Sequence, residues 1–155
     1  MKAFIPPYLN YCSQVWHHCG KRNTKKLEKV NERALRYVYK DKTSSYSALL
    51  EQIGLCTSLE NRRIQDMIIQ VNNCIMGRAP SSILRFIKKS STKYSLRRKN
   101  TLVLPKVKST TYGIKSWQYT AAKAWNEMDN KVRDTAGTKE FPNKIRAMTF
   151  TKFFS

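Results

Sequence analysis

Two adjacent imidazoles, His17 and His18, stand between the thiols Cys12 and Cys19, and imidazole with thiolate is the usual donor set for zinc. The spacing argues against a metal centre. A Cys-x6-Cys pair enclosing both histidines matches no zinc-finger or knuckle pattern, and it puts all four groups on one buried helix, where they cannot converge tetrahedrally. Packing is the expected role. An active site of its own would need a nucleophile with a base, or paired carboxylates, yet the ten acids are scattered singly among cations. Only Glu51, Glu60 and Asp66 could be gathered by packing of neighbouring helices. The five glycines stand alone, so no Gly-rich phosphate loop is formed. These residues predict no catalytic site, no metal and no cofactor.

The chemistry that the composition does favour is contact with a polyanion. Lys and Arg number 30 against 10 Asp and Glu, a formal charge of +20 in 155 residues, which destabilises a compact state unless counterions or a polyanion screen it. The charge is uneven. Residues 1–40 carry nine bases and two acids, 41–66 three and four, 67–126 twelve and none, and 127–155 six and four. Two groups of cations stand out as phosphate contacts: Lys25, Lys26, Lys29, Arg33 and Arg36 on a helix, and Lys93, Arg97, Arg98 and Lys99 in a loop with hydroxyls and Tyr94. A groove made from both would meet about six to eight phosphates and give log affinity a slope on log salt of roughly −5 to −7.

Helical periodicity supplies the elements that carry these residues. An apolar series Leu9, Cys12, Val15, Trp16, Cys19 predicts a first helix opened by Pro6 and Pro7 and stopped at Gly20. A second, capped by Asn23 or Thr24, has Leu27, Val30, Ala34, Tyr37 and Val38 as its apolar stripe. Ser44 or Ser45 caps a short helix with Tyr46, Leu49, Leu50 and Ile53 inward and Gly54 at its end. Thr57 or Ser58 caps a longer one through Leu59, Ile64, Met67, Ile68, Val71, Cys74 and Ile75 to Gly77, and Pro80 opens another through Ile83, Leu84, Phe86 and Ile87. From Lys88 to Lys115 the periodicity fails, which predicts a basic loop with short extended pieces at 94–96 and 102–105. Ser116 then caps a helix with Trp117, Ala121, Ala124, Trp125 and Met128 on one side, and a last helix from Thr138 turns Phe141, Ile145, Met148 and Phe153 inward. The three tryptophans sit on apolar stripes and read as core anchors.

Cys12, Cys19, Cys56 and Cys74 follow no signal peptide and no framework spacing, so reduced thiols in an intracellular chain, nuclear or cytoplasmic, are expected. No stretch approaches the ~18 apolar residues of a membrane span. A chain that opens inside a packed element also points to polypeptide missing upstream.

The order of motifs resembles a known family. Phe4-Ile5-Pro6-Pro7-Tyr8-Leu9-Asn10-Tyr11-Cys12-Ser13-Gln14-Val15-Trp16, Lys26-Leu27-Glu28, Arg33-Ala34-Leu35-Arg36, Leu49-Leu50, Gly54-Leu55 and Leu59-Glu60-Asn61-Arg62-Arg63 look like the segment after the polymerase palm in jockey-type non-LTR retrotransposon reverse transcriptases. Ala79-Pro80, Tyr94-Ser95-Leu96-Arg97, Leu104-Pro105-Lys106, Tyr112-Gly113, Ser116-Trp117, Ala121-Ala122, Trp125-Asn126 and Phe141 continue the likeness in the same order, over nearly the whole chain.

The resemblance implies a thumb-like helical unit that tracks the backbone of a template-primer duplex, followed by a C-terminal region. The paired aspartates of the palm have no counterpart, because no Asp-Asp occurs, and the family's endonuclease is missing too. The expectation is therefore a mainly α chain, with a helical bundle at 1–87 and a basic loop plus two helices at 88–155. Its function would be non-catalytic nucleic-acid binding as a reverse-transcriptase fragment, with RNA–DNA hybrid, duplex or RNA and the upstream palm as partners and no membrane. Two other readings stay open: an independent RNA-binding or ribosome-associated basic protein, and a pseudogene fragment without function. Arg62 and Arg63 suit pairing with Glu60 or Asp66 as well as nucleic acid.

Overall fold

A computed structural model describes residues 11–13, 17–52, 58–90 and 100–150. The chain is mainly α-helical, and among the described residues there is no β-sheet, only one isolated antiparallel bridge between Lys89 and Leu102. The elements are α1 (Lys21–Tyr39), α2 (Tyr46–Gln52), α3 (Leu59–Ile75), α4 (Ser81–Leu84), a π-helical turn (Thr110–Ile114), α5 (Trp117–Glu127), α6 (Asn130–Arg133) and α7 (Phe141–Arg146). Two compact units, Met1–Arg63 and Ile64–Ser155, divide the chain within α3.

Short-range rules account for several helix ends. Ser45, Ser58 and Ser116 each accept a hydrogen bond through the side-chain hydroxyl from the backbone N–H three residues on, at Ala48, Asn61 and Tyr119, all at 3.3 Å. Each satisfies one of the donors a helix start leaves open. Gly77, at φ +70°, ends α3 by letting Arg78 N–H reach the Asn73 carbonyl at 2.8 Å, a left-handed stop that a side chain would strain.

In the first unit α1 begins earlier than the caps at Asn23 or Thr24 predict. Gly20 precedes its first residue, and the Thr24 hydroxyl turns back to the Cys19 carbonyl at 3.3 Å. The helix ends at Lys40, which takes the left-handed conformation at φ 51°, followed by Asp41. Hydrogen bonds from Ser44 and then Thr43 hold the Asp41 carboxyl well below the usual carboxylate range.

The apolar stripe assigned to α1 is also corrected. Val30 is 52% and Tyr37 82% exposed, whereas Asn31 is buried and Leu27, Leu35 and Val38 are half-buried. The inward face is turned because polar contacts set it. Tyr46 of α2 donates its hydroxyl hydrogen to the Glu28 carboxylate at 2.6 Å and accepts from the Asn31 amide at 2.8 Å. The other Glu28 oxygen accepts from the Glu60 N–H at 3.2 Å, placing a negative charge at the start of α3. Burial and the bond to Glu28 raise the Tyr46 pKa, so the phenol stays a donor. Leu49 and Leu50 complete the packing from α2.

The predicted helix before Gly20 falls largely outside the described residues. Cys12, which is described, has φ 49° and lies in a turn, so a regular helix does not run through it.

The second unit has the larger core. Ile64, Met67, Ile68 and Val71 of α3 pack with Ala121, Ala122, Ala124 and Trp125 of α5, Phe141 and Ile145 of α7, and Leu102, Met128 and Phe150. Trp125 is fully buried; its indole N–H donates to the Asn100 carbonyl at 2.9 Å, and its ring lies 5.8 Å from that of Phe141. Trp117 packs against the same core, while Trp16 lies outside the described residues. Side-chain amides fasten segments far apart in sequence. Gln65 donates to the carbonyls of Arg146 and Met148, Asn72 accepts from Gly137 N–H, and Asn126 both accepts from and donates to the backbone of Leu102.

The π-helical turn is seated by a close approach of Gly113 to Val107. A methyl group on Gly113 would lie 2.6 Å from the Val107 Cβ, well inside contact distance. Phe86, counted above on an apolar stripe, lies beyond the end of α4 and is exposed beneath the Arg85 guanidinium.

Candidate nucleic-acid interface

The outer surface of α1 is the most strongly cationic helical face in the described structure. Its sequence holds seven cations and two carboxylates, and both carboxylates are engaged by hydrogen bonds. Glu28 is bound by Tyr46 and the start of α3. Glu32 accepts two hydrogen bonds from Arg36, at 3.0 and 2.7 Å. Lys25, Lys26, Lys29, Arg33 and Lys40 are exposed, as are Lys21 and Arg22. None of Lys25, Lys26, Lys29 and Arg33 forms an ion pair with a described residue. At 3.6 residues per turn, the stripe from Arg22 to Lys40 subtends ~120° opposite the buried Asn31, and at 1.5 Å per residue it is about 27 Å long.

Of the five α1 residues predicted to face phosphates, four therefore share one open face. Arg36 differs, being half-buried with its charge largely met by Glu32 one turn earlier. The first turn of α1 carries Lys21 and Arg22 and no acid. That arrangement opposes the helix macrodipole, and an approaching anion relieves it.

The predicted loop residues Lys93, Arg97, Arg98 and Lys99 lie outside the described residues. Their flanks are described: Ser90 N–H donates to the Thr101 carbonyl and Val103 N–H to the Lys88 carbonyl, both at 2.9 Å. Further exposed cations follow at Lys106, Lys108 and Lys115, with Tyr112 88% exposed on the π-helical turn. Lys108 and Lys115 were not singled out from the sequence. The signal that points to them is the acid-free composition of 67–126 rather than any motif.

Arg63 is buried and Arg62 half-buried, so Arg63 is no surface phosphate ligand. Asp66 lies 3.9 Å from Arg146. His17 is buried, with its ring edge-on to His18 at 4.8 Å between centroids. Burial, then the neighbouring charges of His18 and Arg63, lower its pKa to about 4. The Cys19 sulfur sits 3.6 Å from the Thr24 hydroxyl. Among the described residues no three His, Cys, Asp or Glu side chains group as metal ligands, and no helix is long and apolar enough to cross a membrane.

No protein-family model, curated protein or solved structure matches this chain.

Proposed function

We propose that this chain is a non-catalytic nucleic-acid-binding piece of a retroelement reverse transcriptase of the jockey-type non-LTR class, gripping the backbone of template and primer. The observation that carries the reading is the open α1 face, with Lys25, Lys26, Lys29 and Arg33 exposed, aligned and without ion-pair partners among the described residues, while the helix's two acids are hydrogen-bonded. Cations held apart from carboxylates on a folded surface are what a phosphate-tracking element needs, and they carry no sequence information of their own. The ordered likeness to the post-palm segment assigns that grip to a polymerase, whose palm would supply the metal-binding carboxylates.

The test is a salt series with the purified chain on an RNA–DNA hybrid, duplex DNA and single-stranded RNA. Binding is expected to weaken steeply with salt. Replacing Lys26, Lys29 and Arg33 together by Gln is expected to lower the magnitude of the slope by about 2 to 3, one phosphate contact per cation. Absence of binding at low salt by a chain with native helicity would refute the reading, and primer extension by the chain alone would refute its non-catalytic part.

A further inference from the structure

We infer that Tyr37 is a stacking site for an unpaired nucleobase, so that the cationic face of α1 holds an unpaired stretch of the template strand beside the primer duplex. The inference rests on the reading of α1 as a phosphate grip and names the form of nucleic acid that the grip holds.

Tyr37 is 82% exposed, although aromatic side chains gain most from burial. Its hydroxyl has no hydrogen-bond partner among the described residues. Its position on α1 is specific. Steps of three and four residues link Lys26, Val30, Arg33, Tyr37 and Lys40 into one exposed ridge that alternates cation with apolar group. Lys26 and Arg33 stand about 10 Å apart along the axis, and Tyr37 lies one turn beyond Arg33, roughly 5–6 Å from it at Cβ, with Lys40 following as the left-handed residue that ends the helix. Neither acid of α1 interrupts the ridge, since Glu28 and Glu32 are held on other sides of the helix.

A ligand that satisfies this ridge must offer anionic and flat apolar groups in alternation. A nucleic-acid strand does so from one repeating unit, phosphate then base. In a closed duplex the base faces are covered by their neighbours, so an aromatic ring standing out from a convex helix meets only backbone. In an unpaired strand a base face is open, and stacking on an aromatic ring between two cations is the usual sequence-tolerant way to hold it. A protein partner would instead have to set separate carboxylates opposite Lys26, Arg33 and Lys40 around an apolar notch for Tyr37. The further cations beside the ridge, Arg22, Lys25 and Lys29, favour the polyanion.

The experiment compares, for the full chain, a labelled 15-nucleotide oligothymidylate with an abasic strand of the same length by fluorescence anisotropy at low salt. The wild-type chain should bind the base-bearing strand more tightly, by roughly 5- to 150-fold for one stacked base. Tyr37→Ala should abolish that preference while leaving the abasic affinity within about two-fold, and Tyr37→Phe should retain it, each with unchanged helical circular dichroism. Equal affinity of the wild type for the two strands, or a preference that survives Tyr37→Ala, overturns the stacking site while leaving the phosphate grip in place. Failure to bind either strand removes the grip, and the stacking site with it.

Discussion

His17 shows how a single side chain constrains the conditions under which the chain is stable. It is buried beside His18 and Arg63, and with its pKa at about 4 its imidazole is neutral at pH 7 and adds nothing to the positive charge. An unfolded histidine titrates near 6.5, so between the two values the unfolded chain binds the extra proton and acid favours unfolding. Stability from this group is complete above about pH 6.5 and is lost as pH falls toward 4, with a total on the order of 2–3 kcal/mol. Asp41, also depressed, keeps its contribution above the ordinary carboxylate range and loses it only below, so the two windows separate. Urea midpoints followed from pH 7.5 to 4 should decline, and His17→Asn should flatten that decline. A wild-type midpoint that stays level down to pH 4.5 would mean that the imidazole is not buried in neutral form. From the sequence, the pair His17-His18 offers metal-type donors whose spacing opposes a metal centre, and the burial of His17 belongs to the packed structure. What could not be read was the nearby charge of Arg63, because its position depends on how α3 is placed.

At the scale of elements the second unit is organised around Trp125, and the elements differ in how much of them a sequence exposes. Trp125→Ala removes the centre of the α3, α5 and α7 packing and should cost about 3–5 kcal/mol, while Trp125→Phe keeps most of the apolar contact but strips the Asn100 carbonyl of its donor, for about 1–3 kcal/mol. Chemical denaturation of both variants checks the order; a loss from Phe as large as that from Ala would shift the weight from packing to the hydrogen bond. The apolar spacing of α3 and α5, the caps at Ser45, Ser58 and Ser116, and the stop at Gly77 are legible because the governing interactions span three or four residues. The inward face of α1 is not. A hydropathy pattern puts Val30 and Tyr37 inside, but the helix is oriented by Glu28 and Asn31 meeting Tyr46, polar groups whose burial is favourable only because distant partners satisfy them. The same holds for Gln65, Asn72 and Asn126, whose bonds to backbone 24 or more residues away seat the C-terminal elements. Short helix α6 carries too few residues to show a period. Four cations of the candidate interface were readable from composition and spacing, whereas the engagement of Arg36 by Glu32 and the outward turn of Tyr37 required the packed helix.

The charge of the whole molecule ties these scales together. A formal +20 on 155 residues, with no acid between positions 67 and 126, means that folding brings like charges together that the extended chain keeps apart. Two consequences follow, and they separate screening from binding. Simple salt should raise the melting temperature from its low-salt value, because the Debye length shrinks from ~30 Å at 0.01 M to ~8 Å at 0.15 M. A short single-stranded oligonucleotide at the same ionic strength should raise it further, since a ligand of the folded α1 face stabilises that state by mass action. At a free concentration 100 times the dissociation constant the gain is about 2.7 kcal/mol, which for a chain of this size is roughly 5–10 °C. The increment should shrink as salt rises, because the counterions released on binding must then enter a more concentrated solution. It should also shrink in the Lys26, Lys29 and Arg33 triple Gln variant, although that variant, with three fewer like charges to bring together, should by itself melt higher at low salt. If the oligonucleotide raised the melting temperature of the variant as much as that of the wild type, the α1 face would not be where the polyanion acts, and the acid-free stretch with Lys106, Lys108 and Lys115 would be the surface to neutralise next.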